Sequence, residues 1–161
     1  MSFRVANWPV PEREAALSRR LTRAKAAQLV WWMFPEVREA RVASGVVASD
    51  AVARRDSRAV TRAIALGLLD VERHRARPDA PLTIASASRL LLRLLALVNR
   101  SPAGVPCLDA SPRPSASDAV RLAAACGLLS EESGPAVSGP AFTRSLDRLR
   151  SLASNAAGTG A

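Results

Sequence analysis

The chain has 161 residues, enough for one domain or two small ones, and its 48% hydrophobic content with six aromatics and no tyrosine predicts a helical core of Ala, Leu and Val. Its formal charge of +9 is unevenly placed: residues 1–100 hold 18 Lys+Arg against 9 Asp+Glu and residues 101–161 hold 5 of each, so one part of the chain is expected to face a polyanion. Two cysteines far apart, one histidine and no phosphate-binding loop leave an enzyme reading little to stand on, and no catalytic residue, metal or cofactor is expected.

Met1 to Pro11 reads as an arm carrying Phe3, Val5 and Trp8, with Trp8-Pro9-Val10-Pro11 barring a helix. No apolar run precedes a cleavage site there, so no signal peptide is expected. From Pro11 to Phe34 the apolar positions Leu17, Leu21, Ala24, Leu29 and Val30 recur every three or four residues, which predicts one long helix ended by Pro35. Its last turns, Gln28 to Phe34, place aliphatic and aromatic anchors after a glutamine and resemble short peptides that dock in bacterial sliding-clamp pockets. The other reading of Trp31, Trp32 and Phe34 is as core or dimer-interface side chains.

Residues 36–43 predict a second helix, Ser44-Gly45 a break, and residues 49–54 a short helical stretch capped by Ser49. Arg54 and Arg55 then precede the segment Ser57 to Glu72, SRAVTRAIALGLLDVE, which recurs as SDAVRLAAACGLLSEE from Ser117 to Glu132. Nine of the 16 aligned positions are identical, including a Gly-Leu-Leu at the same place after a matched Ala-Val, so the chain carries a duplicated structural unit. Each copy predicts a helix capped by Ser57 or Ser117, stopped by Gly67 or Gly127, and then an extended segment. Arg58, Thr61 and Arg62 fall on the outward side of the first helix.

Arg73 to Pro81 predicts a basic turn, followed by a returning segment at Leu82 to Ile84 and a helix from about Ser86. That helix is apolar nearly all round except for a stripe of Arg89, Arg93 and Arg100, so it is expected to be buried on several sides, as a wall between the two units or as a dimer seam. Arg89 and Arg93 interrupt the most apolar stretch, so no membrane span is expected and a cytoplasmic, nucleoid-associated protein is the expectation. Ser101 to Ser117 reads as a proline-rich linker, the second copy ends in a helix from about Ala141, and Ser151 to Ala161 as a disordered tail. Cys107 and Cys126 are expected as buried thiols, with a disulfide left open.

Helix, Gly-Leu-Leu, extended segment, tipped turn and helix, in this order and twice over, resembles the recognition helix and wing of the winged-helix superfamily. The resemblance spans roughly Glu36 to Leu152. It implies a mainly α, helix-turn-helix architecture with two related units and small β-wings. The expected division is an arm and long helix (1–35), a basic DNA-reading unit (36–100), a neutral unit (101–152) and a tail (153–161).

The two copies differ where a reading head would lie. Arg58, Thr61 and Arg62 become Asp118, Arg121 and Leu122, and the turn residues Arg73, His74, Arg75 and Arg77 are answered by Glu131 and Glu132, which repel phosphate. The expected function is that of a DNA-binding transcriptional regulator of the bacterial type. It would contact double-stranded DNA through Arg54, Arg55, Ser57, Arg58, Thr61, Arg62, Arg73, His74, Arg75 and Arg77. Trp31, Trp32, Phe34, Leu91 and Leu95 are assigned to a partner or homodimer interface, and the second unit is left open to a protein partner. The alternatives are a tandem winged-helix adaptor of the chromosome-condensing kind and a small inhibitor of replication or transcription machinery.

Overall fold

Three residues, each two positions ahead of a helix, hydrogen-bond to one another in a closed ring and set the plan of the chain. The computed structural model describes residues 7–41, 57–99, 115–129 and 136–158. Among them are seven helices: α1 (Val10–Leu17), α2 (Arg23–Met33), α3 (Pro35–Glu39), α4 (Ser57–Ala65), α5 (Ile84–Val98), α6 (Ala116–Ala125) and α7 (Gly139–Gly158). The fold is mainly α, and the described residues pair as β-structure only at two isolated bridges, Thr22 with Pro81 and Glu72 with Arg75.

In the ring, Leu21 N donates to Val137 O at 3.0 Å, Val137 N to Leu82 O at 2.9 Å, and Leu82 N to Leu21 O at 2.8 Å. Each of these residues is buried. The next residue in each case is the cap of the following helix: Thr22 accepts from Lys25 N, Thr83 from Ser86 N and Ser138 from Ala141 N. A hydroxyl there satisfies an orphan N–H and is worth about 1 kcal/mol per helix. Among the described residues three helix pairs therefore share this arrangement, α1/α2, α4/α5 and α6/α7, the first with a connection cut to Ser18–Thr22. Packing closes the circle: α4 lies on α2, α6 on α5, and α1 on α7.

The contact of α1 with α7 is close enough to dictate a glycine. A Cβ on Gly139 would lie 2.2 Å from Ala15 O and 2.8 Å from Ala16 O, and Gly139 N donates to Ser18 O at 2.7 Å. The glycines that end the repeat helices have a different reason. Gly67 and Gly127 stand at φ +74° and +70°. In both turns the glycine N–H reaches back three residues, Gly67 to Ile64 O and Gly127 to Ala124 O, and the next N–H reaches back five, Leu68 to Ala63 O and Leu128 to Ala123 O. Both are Schellman caps, which need a left-handed residue at this point. The following leucine pairs, Leu68-Leu69 and Leu128-Leu129, are buried.

The copies also match beyond the segment seen in the sequence. Gly67 to Gly127 is an offset of 60, and Leu82 to Val137 an offset of 55, so the second turn is shorter by five residues; at the latter offset Arg89 and Arg93 align with Arg144 and Arg148. Arg93 donates to Gly67 O, and Arg148 Nε lies 3.6 Å from where a Cβ of Gly127 would stand.

Several expectations are corrected. The long helix over 11–34 is two helices, because Leu21 and Thr22 are held extended by residues 81, 82 and 137. Pro35 opens α3 at its first position, where its missing N–H costs nothing, and α3 ends at Glu39. The helix expected from Ser86 begins at Ile84, the one expected from Ala141 at Gly139, and α6 is capped by Ser115 in place of Ser117. The tail expected from Ser151 continues α7 to Gly158, held by buried Ala153 and by Leu152 against the core. Cys126 is disulfide-bonded, against the expectation of a thiol; the other cysteine, Cys107, lies outside the described residues, as do 42–56 and 100–114. The buried side chains form one cluster that draws on all seven helices, and α5 is a wall against α3, α6 and α7.

Candidate nucleic-acid interface

Helix α4 buries Ala59, Val60, Ala63 and Ile64 and leaves Arg58 and Thr61 exposed. Arg62 is spent elsewhere. Its Nε donates to Val37 O at 2.8 Å, and its Nη2 to Arg38 O at 3.1 Å and to Ala40 O. These are carbonyls at the open C-terminal end of α3, which have no partner within the helix. Arg62 thus ties α4 to α3, and of the outward trio only Arg58 and Thr61 are presented to solvent. Ser57 is the first residue of α4, while Arg54 and Arg55 lie outside the described residues.

The basic turn is tighter than the strands of the expected wing. Glu72 N donates to Arg75 O at 3.0 Å and Arg75 N to Glu72 O at 2.9 Å, leaving Arg73 and His74 as the two tip residues. Both have positive φ, 50° and 63°, the pattern of a type I′ turn. Such a turn prefers Asn-Gly, and a bulky residue in the left-handed region costs about 1 kcal/mol or more. Arg77 also has φ 50°. Arg73, His74, Arg75 and Arg77 are all exposed. Arg77 lies 3.7 Å from Glu72, an exposed pair that contributes little to stability.

Beneath the tip, Asp70 anchors the turn to two helices. Its Oδ1 accepts from Arg93 Nη1 at 2.9 Å, its Oδ2 lies 3.5 Å from Arg89 Nη1, and its backbone O accepts from Arg23 Nη2 at 2.5 Å. Arg23 Nε also donates to Ala76 O at 2.8 Å. Burial pushes the Asp70 carboxyl up, but the Arg93 hydrogen bond and the charges of Arg93, Arg89 and Arg23 outweigh it and hold the group below its ordinary value. A cleft of about 490 Å3 opens between this anchor and the turn, lined by Arg23, Arg75, Arg77 and Arg89 with Asp70, Glu72, Thr83 and Ser86. Arg23 and Arg89 were not among the expected contacts. The signal for Arg89 was its stripe with Arg93; Arg23 gave none.

The second unit is built otherwise at the matching helix. Asp118 accepts from Ser115 Oγ at 2.8 Å and from Arg121, and these two bonds, Ser115 first, lower its pKa. Arg121 is thereby paired with an acid on its own helix.

Among the residues assigned to a partner interface, Phe34, Leu91 and Leu95 are fully buried in the chain's own core. Phe34 lies under the Arg150 guanidinium, 4.4 Å from the ring centre, and Arg150 grips Glu36 through both carboxylate oxygens at 2.7 and 3.2 Å. The Arg150 hydrogen bond, opposed by partial burial, holds the Glu36 carboxyl below its ordinary value. Trp31 is half-buried, and Trp32, at 42% exposure, reaches the surface. Gln28 donates to buried Glu12 at 2.8 Å, and Leu29, Val30 and Phe34 are buried, so of residues 28–34 only Trp32 stands exposed, unlike an accessible docking segment.

No family model, curated protein or solved structure matches the chain. Among the described residues, no helix is long and apolar enough to cross a membrane.

Proposed function

We propose that the chain is a DNA-binding transcriptional regulator of winged helix-turn-helix type, with α4 as the reading helix and residues 72–77 as its wing. One observation carries the reading: the hairpin sets Arg73 and His74 where Asn-Gly would be less strained, and both are exposed. A chain that keeps an arginine and a histidine in left-handed backbone at an exposed tip is trading local stability for what the side chains contact. The exposure of Arg58 and Thr61 supports it further, since an adaptor would be favoured had another segment covered that edge.

The contact set is Arg58 and Thr61 on α4 with Arg73, His74, Arg75 and Arg77 on the turn. Arg58 and Thr61, three apart, share a helical face; Arg58 would read a base edge and the turn would follow the backbone. The second unit serves as structure, its exposed arginine on α6 being paired by Asp118. Titration of the full chain against duplex DNA tests the reading: Arg58→Ala and Arg73→Ala should each weaken binding, and Arg121→Ala should leave it within about twofold. Loss of binding in Arg121→Ala with the other two intact would move the reading head to the second unit.

A further inference from the structure

The cleft at the root of the turn is lined mostly by residues outside the proposed contact set. Its volume of about 490 Å3 lies within the roughly 300–1,000 Å3 range of small-ligand sites. Four arginines line it against two carboxylates. Both carboxylates are already matched. Asp70 is held by Arg93, which stands outside the lining, with Arg89 at 3.5 Å, and Glu72 faces Arg77. Arg23 is fixed by its bonds to Ala76 O and Asp70 O, so its charge is held in place before any ligand arrives. Arg75 keeps an exposed guanidinium with no side-chain partner among the described residues. Ser86 adds a hydroxyl on the first turn of α5.

We propose that this cleft binds a phosphate group, with Arg75 and the Ser86 hydroxyl making the contacts and Arg23 and Arg89 supplying fixed positive charge. A planar guanidinium with its donors unspent meets phosphate oxygens in bidentate fashion, and a hydroxyl fits between them. The phosphate has two possible sources. As a backbone phosphodiester of bound DNA it rests on the proposed function and extends the contact set inward from the tip. As a free phosphate or phosphate monoester it is a separate ligand that fixes the root of the turn.

Thermal unfolding of the full chain in millimolar orthophosphate, against sodium chloride of equal ionic strength, tests the site. Orthophosphate should raise Tm saturably, Arg75→Ala should weaken the apparent affinity at least about tenfold, and Arg121→Ala should leave it unchanged. Identical unfolding in both salts overturns the proposal, as does an Arg75→Ala chain that keeps the full response. Orthophosphate that displaces duplex DNA beyond the effect of ionic strength identifies the backbone as the source; orthophosphate and DNA bound together identify a free ligand. A chain that binds DNA without a phosphate response keeps the DNA reading and loses the cleft, and the converse keeps the cleft and loses the DNA reading.

Discussion

Replacing the tip by the residues its backbone prefers, Arg73→Asn with His74→Gly, separates strain from contact. Arg73 and His74 stand at φ 50° and 63°. Relief of two left-handed residues should add about 1–2 kcal/mol, since Asn and Gly occupy this region at far less cost. For a chain of this size 1 kcal/mol moves Tm by about 2–4 °C, so Tm should rise by about 2–8 °C. The same change deletes one guanidinium and one imidazole from the exposed tip. Affinity for duplex DNA should therefore fall about tenfold at moderate salt, and the salt slope should flatten by about one. Calorimetry and fluorescence anisotropy on the same preparation read both quantities. A Tm that stays or falls refutes the strain argument, and DNA affinity that survives intact refutes the contact.

Arg62→Ala should lower stability by about 2–3 kcal/mol, because α3 loses the donor to its last carbonyls, while the DNA affinity of the folded chain stays within about twofold. Arg58→Ala should do the reverse, with Tm unchanged and about 1–3 kcal/mol lost on a specific site; equal effects of the two on DNA would contradict the division of labour. Glu36 and Asp70 ionise more readily folded than unfolded, so their stabilisation is present above the ordinary 4.5 and 3.8 and is lost as pH falls through their lower folded values. Tm should drop between pH 5 and pH 3, and less steeply in Glu36→Gln; an unaltered profile in that variant would remove the Arg150 pair as a cause. Gly139→Ala should cost about 2–3 kcal/mol by thermal unfolding, against the usual gain of alanine in a helix, because its Cβ meets the Ala15 carbonyl; a stable variant would mean that α1 and α7 part easily.

Much of the helical plan was legible because its signals are local. The Gly-Leu-Leu repeat marked two glycine stops, both of them Schellman caps in the fold, and the near-uniform apolar run after Ser86 marked a helix walled in on several sides. The break at Ser18–Thr22 was not legible, since no glycine or proline marks it. Its cause is the hydrogen bonds of Leu21 to Leu82 and Val137, far along the chain. The signature was present in weak form: Leu21-Thr22, Leu82-Thr83 and Val137-Ser138 are each an apolar residue before a hydroxyl cap. The bonds of Arg62 were hidden for a similar reason. Its position on α4 is right for a groove, and only the carbonyls of residues 37–40 reveal that its donors are taken. The arginine stripe on α5 was visible, but the aspartate that gathers it lies across the turn.

Contact of the Arg58 edge and the basic turn with duplex DNA carries the proposed function, and the salt dependence of duplex binding measures that contact most directly. With Arg62 withdrawn and Arg58 on a base edge, the three turn arginines Arg73, Arg75 and Arg77 remain to meet phosphates, so log affinity against log salt should fall with a slope of about −3 per protomer. A slope near zero, or no binding at low salt, would contradict it.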